Sequence, residues 1–195
     1  MQHKVKLTVI DKKVYPELQE KYCADKNAGM CPCYNVGDEF IFERYDTADD
    51  FWHMGLNTLK QTATTVNWTA GSSSFPHCSE AWDAISRYIY SGLQGGSIMR
   101  GWMSDEKVMI ACCSDGTRPV IFKIERMDYK VLYIEGIKDI DDQKKIKSAL
   151  CSIEGVSEVI FREKFIEVYL EKNVDDALLN IEIEKCGNYI ISEIC

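Results

Sequence analysis

No stretch of this chain approaches the about 18 consecutive apolar residues that a membrane-crossing helix needs, so no membrane span is expected. The opening "MQHKVKLTVIDKK" has no apolar run followed by a small-residue cleavage site. That argues against a secretory signal, and a cytoplasmic location is expected. Positive charge is also in short supply. Lys and Arg number 23 against 31 Asp and Glu, for a net charge of −8, and no basic stripe is visible. Nucleic acid and anionic membrane are therefore poor partners. There is no phosphate-cradling glycine loop, no dinucleotide fingerprint and no nucleophile–base–acid triad, so no nucleotide cofactor is expected.

Cysteine, by contrast, is plentiful. The nine are Cys23, Cys31, Cys33, Cys78, Cys112, Cys113, Cys151, Cys186 and Cys195. In a reducing compartment they read as thiols, metal ligands or redox groups rather than structural disulfides, and the odd count agrees. The "NWT" sequon at Asn67 is accidental without a secretory route.

The alternating, β-branched "KVKLTVIDKK" predicts a strand. "YPELQEKYC", with Pro16 near its start, predicts a short helix, and "KNAGMCPCYNVGD" a loop carrying Cys31 and Cys33. "DEFIFERY" predicts a second strand. A helix start at Asp49 or Asp50 is expected in the long segment that follows. "PHCSEAWDAISRYIYSGLQGG" has helical apolar spacing, a candidate N-cap at Ser79 and a Gly95-Gly96 stop. "EKVMIACC" and "RPVIFKIER" flank Asp115-Gly116 as a hairpin.

After "MDYK" the composition changes, and Trp and Pro vanish from Val131 onward. Strand, helix, hairpin, helix and strand follow in turn, the β-α-β-β-α-β order of a split βαβ domain. The expected fold class is α+β. An α+β domain over 1–128 ends in a β-hairpin, and a ferredoxin-like βαββαβ domain covers 130–195.

Through "YIEGI", "SALCSIEGVSEVIF" and "CGNYII", the second half resembles the heavy-metal-associated domain of metallochaperones and metal-transport ATPases. The resemblance implies a Cys-x-x-Cys pair in the loop after the first strand. Here Asp139 and Asp142 occupy those positions. Carboxylates favour hard ions over soft ones, so metal transfer is not carried over. The first half resembles a family of small bacterial and archaeal proteins without a settled function. The residues that carry this are "KVKLTV", "CPCYNVGDEFIF", "CSEAWDAISRYIYSGLQGG" and "CCSDGTRPVIFKIER". The segment from Thr47 to Ser74 is longer than that family's.

The candidate site is the set Cys31, Cys33, Cys78, Cys112 and Cys113, with His77 as a further ligand or a base. Three separate elements each offer thiols at an edge. Zinc or another thiophilic ion is the expected cofactor, held near 2.3 Å from each sulfur. Cys78 precedes a helix start, which favours thiolate. Adjacent strand residues face opposite ways, so one of Cys112 and Cys113 is expected inside and one outside unless a bulge intervenes. Arg118 stands close enough to the doublet in sequence to hold an anion. Three functions stay open: a thiol-rich metal-binding module, structural or regulatory; a thiol-dependent redox or transfer enzyme using Cys78 or Cys112/Cys113; and a non-catalytic interaction module. An unidentified protein partner or self-association is compatible with each.

Overall fold

The computed structural model describes residues 3–44, 59–64 and 78–195. The elements are β1 (Lys4–Lys12), α1 (Pro16–Tyr22), β2 (Glu39–Arg44), β3 (Leu59–Ala63), α2 (Ser79–Leu93), β4 (Val108–Cys112) and β5 (Val120–Glu135). They continue with α3 (Ile140–Cys151), β6 (Val156–Phe161), β7 (Ile166–Leu170), α4 (Asp176–Cys186) and β8 (Ile190–Ile194). The chain divides into two compact units, Met1–Arg126 and Met127–Cys195, and the division falls within β5.

In the first unit the alternation of β1 sends Val5, Leu7 and Val9 to one face, where none is exposed. Val5 lies opposite Phe42 and Leu7 opposite Phe40 of antiparallel β2. β2 pairs onward to β3, and β4 pairs antiparallel with β5. Helix α2 covers this face with Ala81, Ile85, Ile89 and Leu93, one every four residues. The packing is tight at Gly92, where a Cβ would stand 2.7 Å from the Val5 side chain. The helix stops where Gly95 turns to φ +81°, and Arg126 donates to the carbonyls of Gly95 and Gly96.

In the second unit the strand order is β8-β5-β7-β6, antiparallel at every pairing. Helices α3 and α4 bury Ile146, Leu150, Leu179 and Ile183 with Leu132, Val159, Ile166 and Val168. β7 is buried along its whole length. Its Glu167 is 2% exposed and takes both Nε and a terminal nitrogen of Arg162, at 3.2 and 3.0 Å.

Three differences from the sequence reading have physical causes. β3 was not expected, because "LKQTA" is mostly polar and its register is supplied by β2. The two strands expected on either side of "MDYK" are one 16-residue strand; Asp128, Tyr129 and Lys130 pair with Leu170, Tyr169 and Val168, which removes any break. The N-cap of α2 is Cys78, with Ser79 the first helical residue. The helix start at Asp49 or Asp50 lies outside the described residues.

Candidate functional site

The loop between α1 and β2 is pinned at several points. Gln19, 2% exposed, donates its amide to the Gly29 carbonyl at 2.9 Å and accepts from the Gly29 N–H at 3.0 Å. Lys12 donates to the Tyr34 carbonyl, and Asp38 accepts from the Asn35 N–H at 2.8 Å. Between these anchors lie Cys31 and Cys33, half-buried against the first unit's core. Tyr34 follows them inward, 1% exposed, with its ring edge-on to Phe122 at 5.3 Å.

The hairpin loop reaches α2 independently. Ser114 N–H donates to the Glu80 carbonyl at 3.1 Å, and its hydroxyl bonds both that carbonyl and the Glu80 carboxylate. This brings the end of β4 to the first turn of α2, where Cys78 sits. The Cys78 carbonyl accepts the Trp82 N–H at 2.9 Å, while its thiol makes no capping bond.

The doublet divides as strand geometry requires. Cys113 is buried, and its sulfur accepts the Val120 N–H at 3.3 Å. Cys112 is exposed and turns its thiol to the Cys113 carbonyl at 3.2 Å. Burial, then the neighbouring Cys113, pushes the Cys112 thiol up.

Four of the expected thiols, Cys31, Cys33, Cys78 and Cys113, lie with Tyr34 in or against the first unit's core. Burial raises the Tyr34 hydroxyl far above its ordinary range, and Cys78, Cys33, Cys31 and Cys113 each raise it further. Cys33 is also raised, first by burial and then by Cys31; Cys78 adds to this and Arg118 opposes it. Arg118 is held by Asp115, Nε to Oδ2 at 3.0 Å. Asp115 is pushed up by burial but held below the carboxylate range by hydrogen bonds from Thr117 and Arg118.

As the side chains now stand, no three His, Cys, Asp or Glu among the described residues are at ion-holding spacing. A common ion would require the sulfurs to draw inward from their resting positions. Cys112 stands outside the Tyr34 group, and His77 lies outside the described residues. The anchors Gln19, Glu80 and Ser114 escape a sequence reading. Tyr34 left one signal, a large aromatic directly after two thiols in a Gly-rich loop.

In the second unit the carboxylates of Asp139 and Asp142 are engaged. Asp139 caps α3, accepting from the N–H groups of Asp141 and Asp142 at 2.9 Å each. Asp142 accepts the Tyr189 hydroxyl at 2.6 Å and the Lys138 N–H at 3.0 Å. Cys186 donates to the Glu182 carbonyl at 3.1 Å, while Cys151 and Cys195 are exposed.

Compared with known proteins, the chain matches no family model, no curated protein and no solved structure. Among the described residues no helix is long and apolar enough to cross a membrane.

Proposed function

We propose that the first unit is a thiolate metal-binding module, structural or regulatory in role. In it Cys31, Cys33, Cys78 and Cys113 close around one zinc or another thiophilic ion. The observation that supports this reading is that Cys31, Cys33, Cys78 and Cys113, from three separate elements, all lie in or against one apolar core. Cys113 is the ligand of the doublet and Cys112 the bystander, because only Cys113 faces inward. A closed set of four sulfurs is the pattern of a structural site rather than a catalytic one.

The second unit is a ferredoxin-like βαββαβ domain on this reading, supported by its strand order and its two crossover helices. Asp139 and Asp142 serve the helix start there, which favours a packing or docking role over metal transfer.

Elemental analysis of chain purified without oxygen or chelator tests the assignment. About one thiophilic ion per chain is expected. Cys78→Ser and Cys113→Ser each lose it, and Cys112→Ser keeps it. A metal-free chain with all nine thiols titratable overturns the reading.

A further inference from the structure

The second unit holds a cavity of about 260 Å³ that no cysteine lines. It opens between the β5–α3 loop, the first turn of α3 and the β6–β7 hairpin. Its base is apolar. Ile134, Ile137, Phe161 and Ile166 line it, and each belongs to or packs against the unit's core. Exposed Lys138 and Lys164 line it as well.

The backbone that carries each cation is fixed. The Lys138 N–H donates to the Asp142 carboxylate at 3.0 Å. The Arg162 N–H donates to the Phe165 carbonyl at 2.9 Å, which closes a two-residue turn at Glu163 and Lys164. The charges around the cavity do not cancel. Arg162 is engaged by Glu167, and Asp139 by the start of α3. The side chains of Lys138, Lys164 and Glu163 have no ion-pair partner among the described residues. Two cations against one anion leave an unmatched positive charge beside an apolar base.

We infer that this cavity binds a small amphipathic carboxylate. A compact apolar or aromatic body rests on Ile134, Ile137 and Phe161, and the carboxylate pairs with Lys138 and Lys164. The inference is independent of the metal-binding reading of the first unit. An inorganic anion would satisfy the lysines but leave the apolar base against water. A wholly apolar molecule would leave the lysines unmatched. The volume lies below the about 300 Å³ at which drug-sized sites begin, so the ligand is limited to about a dozen non-hydrogen atoms.

The probe is para-fluorophenylacetate, titrated into the full chain and followed by fluorine NMR. Amide shifts of the isotope-labelled chain locate it. Saturable binding below about 1 mM is expected, with the moved amides in 134–143 and 161–166. Lys138→Gln/Lys164→Gln should weaken binding about fivefold or more. Lys172→Gln/Lys185→Gln removes the same charge away from the cavity and should leave binding unchanged. The neutral para-fluorophenylacetamide should bind about fivefold more weakly. Acetate, which keeps the charge without the ring, should compete about tenfold more weakly. No saturable binding, shifts centred outside the cavity, equal loss from the two lysine pairs, or equal binding of the amide or of acetate would each overturn the inference.

Discussion

Gln19 holds the thiol-bearing loop at both ends of its side-chain amide. It is almost fully buried and bonded to the two backbone groups of Gly29. Gln19→Ala leaves both of those groups without a partner. A loss of about 2 kcal/mol is expected from the urea midpoint, along with weaker zinc retention, since Cys31 follows two residues later. Tyr189 is a second case. The Asp142 hydrogen bond, then burial, pushes its hydroxyl up to about 12, while Tyr189 and the Lys138 N–H hold Asp142 low. The Asp142 contribution is present above its unfolded value and is lost as pH falls through its lower folded one. The Tyr189 contribution is complete below about 10, its unfolded value, and is lost as pH rises toward about 12. Tyr189→Phe should therefore lower the urea midpoint most near neutral pH. The gap from the parent should narrow at both extremes, and a gap independent of pH would show the bond to be idle.

Among the elements, β7 carries the sharpest electrostatic commitment. Its Glu167 is buried and relies on Arg162, itself partly exposed. Arg162→Met leaves that carboxylate without its cation and is expected to cost about 2–3 kcal/mol. Arg162→Met/Glu167→Met should recover most of the loss, as a double-mutant cycle by denaturant titration would report. A double variant as weak as the single one would mean that Arg162 acts through packing alone. The same elements show what could be read in advance. β1, β2, α2 and α3 carry their periodicity within their own residues, so they were legible. β3 was not, since its partner, not its composition, makes it a strand. The two strands expected on either side of "MDYK" followed a change of composition, whereas pairing decides: Asp128 and Lys130 stay in register because β7 lies beside them. Four thiols of the candidate site were visible, because sulfur chemistry belongs to residue type. Their packing against one core was not, because it depends on the Gln19 and Glu80 anchors, which link distant parts of the chain.

At the scale of the whole chain, two separate apolar cores lie in the two units. Ile85 and Leu150 are both fully buried, one in each. Ile85→Ala and Leu150→Ala should each cost about 3 kcal/mol. By hydrogen exchange, the first should strip protection from α2, β1 and β2, and the second from α3, β6 and β7. Equal loss across both units from either substitution would mean that the chain opens as one body. The cap at Asp139 also bears on what this sequence can become. Cysteines at 139 and 142 would place a Cys-x-x-Cys pair in this loop, but they would remove the acceptor at the head of α3 and the anchor of Tyr189 together. A lineage taking that road would first pass through a chain with a frayed helix, about 1 kcal/mol weaker for the missing cap. Unless a bound ion compensated, the present carboxylates would remain the more stable choice at this helix start.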